Sequence, residues 1–297
     1  MGEPIIHRIP WWRGWAPVVV LPVLVLALTP TEWPRWLFMW LLAVAVYAGL
    51  KWLTYQRTWV PDTPSWRHLA YLLAWPGLDA AAFLNANRSA RSPDACEWAG
   101  AVVKLLAGAI LFWGFAPIIL ERAELLRGWI GMAGIVLMLH FGSFHLLSCV
   151  WRSAGVDARP LMQAPLRSKS LAEFWGRRWN TAFRDLTYRF LFLPLTPRLG
   201  PTGALFAGFA FSGLIHDLVI SIPAGGGFGG PTWFFLIQAA ALSLERSRLG
   251  RALGLGRGVW GGFFALMALA APALLLFHPP FVHRVALPFM EVLGALG

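Results

Sequence analysis

Acidic residues and cysteine are scarce in this chain. Its 297 residues carry 14 Asp and Glu against 25 Lys and Arg, and only two cysteines. Cys96 and Cys149 match no zinc or redox spacing, so both are expected as buried thiols. Charged residues make up 13% of the chain and hydrophobic residues 58%, too apolar a balance for a soluble domain. The net charge of +11 has no soluble basic domain to hold it, so nucleic acid is excluded as a partner. Neither a Walker A sequence nor a nucleophilic Ser elbow is present, which argues against an ATP-driven pump and a serine hydrolase. No period of 20–50 residues repeats, so the chain is neither a solenoid nor an obvious inverted-repeat transporter.

What is present is a series of apolar runs that approach or exceed the roughly 18–20 residues needed to cross a bilayer. Expected spans are Trp15–Leu28, Trp36–Leu50, Trp98–Leu120, Trp129–Trp151, Ala204–Ile222, Thr232–Leu244 and Val259–Phe277, with Val285–Leu296 as a short eighth. Arg8 and Arg13 precede the first run and no small-residue cleavage pattern follows it, so it is expected as a retained helix. Trp15, Trp36, Trp98, Trp129 and Trp151 fall at span ends, as an interfacial belt would place them. Lys51 to Arg67 is a polar connector. His68–Leu84 is interrupted by Trp75-Pro76-Gly77 and Asp79 and is too short to cross, which suits a re-entrant or interfacial segment. The expected fold is therefore an all-α integral membrane protein of about eight transmembrane helices plus that segment, forming a single polytopic domain over 1–297.

The basic residues gather between the apolar runs. Residues 152–200 hold nine basic side chains against three acidic ones, the strongest topological marker in the chain. Positive loops face the cytoplasm, so 152–200 is expected to be cytosolic in a multi-pass protein of a bacterial inner membrane.

Two features point to chemistry. Within 165–180, Arg177 and Arg178 lie between Trp175 and Trp179, with Phe174 before them and Asn180 after. Guanidinium groups fork onto phosphate oxygens and ring faces offer stacking surfaces, a pairing suited to a phosphate-bearing aromatic ligand. A surface amphipathic helix with Trp in the headgroups stays open for the same residues. His216 lies about twelve residues into an apolar helix, roughly 18 Å deep at 1.5 Å per residue. An ionisable residue at that depth usually faces a cavity, and an imidazole there has the form of a general base. A helix-packing histidine stays open as well. Asp217 points roughly 100° away from His216 and is no automatic triad partner. His140 and His145 are about 140° apart on a helix, unlike an i, i+4 metal pair, and no metal is expected. Gly225–Gly230 formally contains G-x-G-x-x-G, but it lies between two membrane helices without a βαβ unit and reads as a flexible turn at a cavity mouth.

These residues resemble a known family. S-L-A-E-F-W-G-R-R-W-N (170–180) is similar to the signature of the wax synthase branch of the membrane-bound O-acyltransferase superfamily. It is also similar to F-Y-x-D-W-W-N of the sterol and diacylglycerol acyltransferases. Phe174, Trp179 and Asn180 match, whereas Trp175 replaces Tyr and Arg177–Arg178 replace Asp-Trp. A-W-P-G-L-D (74–79), H-F-G-x-F-H-L-L (140–147) and F-S-G-L-I-H-D (211–217) follow the family's order over about 71–222, with Asp217 where the family usually has Glu.

The resemblance implies a helical core enclosing a catalytic tunnel, with acyl-CoA as substrate and no cofactor. His216 and Asn180 would be catalytic. Phe174, Trp175, Arg177, Arg178 and Trp179 would bind acyl-CoA, with Arg177 and Arg178 on its phosphates. The acceptor would be a lipophilic alcohol, membrane lipids would surround the chain, and a homo-oligomer is compatible. A lipid transporter and a non-catalytic lipid-binding protein remain as alternative readings.

Overall fold

The computed structural model describes residues 11–88 and 90–296. Arg8, the first of the basic residues expected before the first helix, lies outside them. The described residues form helices and turns, with no strand among them. Five helices among them are long and apolar enough to cross a membrane: Arg35–Gln56, Ala95–Ile118, Glu121–Ser153, Thr181–Ala224 and Gly258–Leu276. The chain divides into two compact units, Met1–Leu161 with Met290–Gly297, and Met162–Phe289.

The first unit holds α1 (Trp11–Leu28), α2 (Arg35–Gln56), α3 (Ser65–Ala74), α4 (Ala80–Leu84), α5 (Ala95–Ile118) and α6 (Glu121–Ser153). α5 and α6 meet through glycine. A Cβ on Gly108 would lie 2.6 Å from the Met138 nitrogen, and one on Gly134 would lie 2.8 Å from the Gly108 oxygen. Small residues let membrane helices approach this closely and gain dispersion energy. On α5, Val103, Leu106 and Ile110 are 62%, 55% and 55% exposed. Their spacing of three and four residues puts them on one face, an apolar stripe suited to lipid.

Lys51 departs from expectation. α2 runs on to Gln56, so this residue is buried within the helix and does not open a polar connector. Its Nζ donates to the carbonyls of Trp75 at 2.7 Å and Gly77 at 2.5 Å, and it lies 3.4 Å from the centroid of the Tyr71 ring. Lys51 thus holds the break between α3 and α4, where Pro76 interrupts the helical run. These helices have ten and five residues, too short to cross a bilayer. Asp79 caps α4 by accepting from the Ala82 N–H, and Trp75 stacks on Phe83.

The second unit begins with the 165–180 segment. It continues through α7 (Thr181–Ala224), α8 (Gly230–Arg246), α9 (Arg248–Ala252) and α10 (Gly258–Leu276). α7 is interrupted at Gly200, whose φ of 69° lies between Pro197 and Pro201. Two prolines break the hydrogen-bond ladder and glycine accepts the resulting turn. Beyond the kink α7 packs against α8 where a Cβ on Gly213 would come within 2.6 Å of the Thr232 Cα. Leu171, Leu242 and Ala265 form a buried core, with Trp175, Leu205 and Phe209 packed against it. The expected span 232–244 lies within the 17-residue α8, and the region of the expected eighth holds a π-helical turn, Val282–Ala286, followed by Leu287–Val292.

Candidate active site

Three helix faces and one irregular segment surround a cavity of about 340 Å³ in the second unit. On α7 the lining residues Ala204, Leu205, Gly208, Phe209, Ser212 and His216 recur at helical spacing, so they share one face. Farther towards the start of α7, Phe183, Arg184, Thr187 and Tyr188 repeat the pattern. Phe235, Leu242 and Arg246 give the matching face of α8. Trp175, Gly176, Trp179 and Asn180 close the wall from the segment before α7.

His216 ends the regular part of α7, immediately before a π-helical turn over Asp217–Ser221. Its Nδ1 lies 2.7 Å from the Ser212 carbonyl oxygen. A carbonyl only accepts, so Nδ1 carries the proton; in the neutral ring Nε2 then holds the lone pair. The imidazole is 4.6 Å from the Phe235 ring, centroid to centroid. Asp217 has a different task. Its carboxylate accepts from Ser221 Oγ at 2.8 Å, the Gly229 N–H at 2.8 Å, the Thr232 N–H at 3.0 Å and the Thr232 hydroxyl. It thus satisfies free donors at the start of α8, where the helix dipole also favours an anion.

Ser221 continues this network to His278. The Phe281 N–H donates to His278 Nδ1 at 3.2 Å, leaving Nε2 to donate to Ser221 Oγ at 3.2 Å. Burial pushes the His278 imidazole below the usual histidine range. A Cβ on Gly227 would fall 2.3 Å from the His278 ring, and Arg284 Nη1 donates at 3.0 Å to the carbonyls of Ala224 and Gly225. The glycine run is therefore fastened at both ends, and none of residues 225–230 lines the cavity. A flexible turn at the mouth of this cavity was the expectation. The side chains of Asp217, His278 and Arg284, remote in sequence, overrule the glycine content.

The signature segment is similarly tied down. Ser170 Oγ accepts from the Glu173 N–H, starting the turn Leu171–Glu173. Buried Glu245, at the end of α8, accepts from the N–H groups of Leu171 at 2.6 Å and Ala172 at 3.0 Å. A π-helical turn, Phe174–Arg178, then places Trp175 on the cavity, with its ring 5.5 Å from Phe209 and 5.8 Å from Phe235. Asn180 adopts a left-handed conformation, φ 40°, and its Oδ1 caps the following helix by accepting from the Phe183 N–H at 3.2 Å. Asparagine tolerates that conformation better than most residues. The cap occupies the amide oxygen and leaves the Nδ2 donor to other uses.

Of the residues singled out from the sequence, the structure brings His216, Asn180, Trp175 and Trp179 to the lining of one cavity. Phe174, Arg177 and Arg178 lie outside it. Phe174 is buried and stacks on Trp179 with centroids 5.5 Å apart. Arg178 donates through Nε and Nη2 to Glu173 Oε1 at 2.8 and 2.6 Å, and through Nη1 to the carbonyls of Gln163 and Ala164. Its three guanidinium nitrogens are all engaged within the segment. Arg177 is exposed and forms no hydrogen bond or ion pair among the described residues. Arg184, Arg246, Phe209 and Phe235 line the cavity without having been singled out. Helical spacing back from His216 leads to Ser212, Phe209 and Gly208, whereas no local signal marks Arg246.

The first unit contains a separate polar cluster around Cys149, which is buried as expected, whereas Cys96 is exposed. Ligand atoms of Glu97, His145 and Cys149 lie within 4.8 Å of one another. Glu97 is already held by Arg152 at 2.5 Å and by His145 Nε2 at 2.9 Å, while Lys104 Nζ lies 2.8 Å from His145 Nδ1. The candidate ligand atoms of Glu97 are thus already engaged by Arg152 and His145, so this cluster fits a hydrogen-bonded ion-pair network better than a metal site.

Residues 158–237 match the membrane bound O-acyl transferase family model. The chain resembles the wax synthase-like branch of that superfamily. The matched stretch contains the signature segment and His216. A probable long-chain-alcohol O-fatty-acyltransferase 8 of Arabidopsis thaliana is 34% identical over 102 residues, 31% of this chain and 30% of that protein. Another Arabidopsis thaliana protein, the probable long-chain-alcohol O-fatty-acyltransferase 2, is 30% identical over 143 residues, 44% of this chain and 41% of that one. The long-chain-alcohol O-fatty-acyltransferase of Simmondsia chinensis is 36% identical over 72 residues, 22% of this chain and 20% of that protein. The chain thus spans less than half the length of these curated relatives. The five long apolar helices and the family match together support an integral membrane protein.

Proposed function

We propose that this protein transfers a fatty acyl group from acyl-CoA to the hydroxyl of a lipophilic acceptor, a long-chain alcohol or related lipid alcohol. The observation that carries the proposal is His216: its ring proton is fixed on the Ser212 carbonyl, and it shares a largely apolar cavity with Asn180 of the signature segment. Nε2 accepts the alcohol proton as the oxygen attacks the thioester carbonyl. The tetrahedral intermediate collapses with loss of the C–S bond, and the imidazolium returns its proton to the departing thiolate. The products are an ester and free CoA. General-base help of this kind is worth about 10²–10⁴-fold. Asn180 Nδ2 supplies a hydrogen bond to the developing oxyanion, a contribution of about 10²–10³-fold.

On the donor side, Trp175 and Trp179 frame the acyl-CoA path, with Phe174 supporting Trp179 from behind. Arg177 is exposed and able to meet the CoA phosphates, while Arg178 holds the segment in shape. Acyl-CoA acts as substrate, and the reaction requires no cofactor and no metal. The reading treats 1–297 as one acyltransferase domain with an enclosed tunnel that excludes water from the thioester. Eight crossings result when α1, α8 and Val285–Leu296 are added to the five long helices. Residues 152–200 then face the cytosol, on the basis of charge. The relatives named above are plant proteins and give no support to a bacterial inner membrane. A homo-oligomer remains compatible with this arrangement.

The test is transfer of label from long-chain acyl-CoA into extractable lipid, using membranes that contain the wild type or His216→Gln at matched protein levels. A new labelled ester with the wild type, reduced at least 100-fold in the variant, is the expected result. Equal labelling from both would remove His216 from the chemistry and favour a lipid transporter or lipid-binding protein.

A further inference from the structure

A second pocket, of about 260 Å³, adjoins the cavity in the second unit and shares Ala172 and Arg246 with it. Its wall also includes Ser170, Arg251, Gly256 and Arg257. Three arginines therefore line one small pocket. Glu245 is its acidic lining residue, and both carboxylate oxygens already accept from the backbone of Leu171 and Ala172. Arg251 donates through Nη1 to the Arg246 carbonyl, which anchors one edge of the loop. Arg246 and Arg257 are exposed and make no hydrogen bond or ion pair through their side chains among the described residues. Elsewhere in this unit arginines do find carboxylates, as in Arg178–Glu173 and Arg184–Asp185. The arginine-lined loop lies outside the stretch that matches the family model.

We propose that this pocket binds the phosphate-bearing end of the acyl donor, while its acyl chain enters the adjoining cavity. The inference rests on the acyl-transfer reading given above and extends it by adding Arg246, Arg251 and Arg257 to Arg177 as phosphate-binding residues. Guanidinium forks match phosphate oxygens, and several arginines around one small volume suit a ligand carrying more than one phosphate. Arg246 lies where pocket and cavity meet, so a ligand with an anionic head and an apolar tail can fill both. Phosphate groups on anionic lipid offer the same chemistry, but the connection to the His216 cavity favours the donor.

The experiment measures binding of free CoA, without an acyl chain, to the purified full-length protein in neutral detergent. It compares the wild type with Arg257→Gln, Arg257→Lys and Arg251→Gln. The Arg257 side chain makes no hydrogen bond or ion pair among the described residues, and its backbone bonds to Gly254 and Gly261 survive substitution, so Arg257→Gln covers the case in which Arg251→Gln unfolds. The expected result is about tenfold weaker CoA binding for Arg257→Gln, the loss of one charged hydrogen bond, with partial recovery in Arg257→Lys. Wild-type binding should also weaken as salt rises.

CoA affinity unchanged by both glutamine substitutions would overturn the proposal. So would loss of binding to vesicles of neutral and anionic phospholipid with CoA affinity intact, which would assign the pocket to lipid headgroups. Binding is read without turnover, so the two proposals fail separately. Arginine-dependent CoA binding without ester formation would defeat the acyl-transfer reading alone. Ester formation with arginine-independent CoA binding would defeat this one alone.

Discussion

Gly208 offers a direct probe of what occupies the cavity. It lies two helical turns before His216 on the same face of α7, and a Cβ built on it meets nothing within 4 Å. Gly208→Leu therefore projects four carbon atoms towards a space of about 340 Å³, the first of them clear of every neighbour. Leucine also favours a helix interior over glycine by several tenths of a kcal/mol, so no loss of stability is expected. A substrate chain that reaches past Gly208 loses the volume of three or four methylenes. At about 0.8 kcal/mol for each buried methylene, the deficit is about 2.4–3.2 kcal/mol, or roughly 60- to 200-fold in kcat/KM. A chain that stops short of Gly208 loses nothing. The assay is a series of acyl-CoA lengths against one alcohol, then a series of alcohol lengths against one acyl-CoA, with wild type and Gly208→Leu. The series whose long members fall away identifies the substrate lying along α7. An equal decline at every length in both series, or no change in either, would refute the argument that this cavity measures chain length.

Three further outcomes follow from the surrounding contacts. Lys51→Met keeps the bulk of the side chain but leaves the Gly77 carbonyl without its donor, while the Trp75 carbonyl keeps the Tyr47 hydroxyl at 3.0 Å; at about 1–3 kcal/mol for the unsatisfied buried group, thermal unfolding in detergent should move down clearly, and an unchanged midpoint would show that the Lys51 side chain holds nothing. Asp217→Ala strips the acceptor from Gly229, Thr232 and Ser221, so hydrogen exchange should accelerate across 225–232; protection equal to the wild type would remove the fastening role. The Lys169 N–H and then the Arg178 guanidinium hold the Glu173 carboxyl below its usual range. Its contribution to stability is present above the ordinary carboxylate pKa of about 4.3 and is lost as pH falls through the lowered folded value. The stability gap between wild type and Glu173→Gln should therefore be widest near neutrality and close in acid, and a gap independent of pH would contradict the assignment.

The apolar runs and the scarcity of acidic residues pointed to a helical membrane protein, because hydropathy and helical period are local properties. The same locality made Ser212 and Gly208 readable as neighbours of His216, one and two turns back on α7. Order and spacing of the motif residues also carried the family resemblance drawn over about 71–222, and the family match over 158–237 overlaps it. Charge pairing was not legible in this way. Arg177 and Arg178 are adjacent and look equivalent in sequence, yet Arg178 is bound to Glu173 and two carbonyls while Arg177 is exposed. Glu245 reads as a lone acid at the head of a basic loop, but its partners are backbone groups 73 and 74 residues away. Lys51 reads as the start of a connector and proves to be the buried clamp on a turn more than twenty residues ahead. In each case the partner is supplied by a distant part of the chain that only folding brings near, and burial makes an unpaired polar group too costly to leave. Sequence determined which residues had chemistry to offer; tertiary structure decided which were spent on holding the fold and which were left to face the cavity.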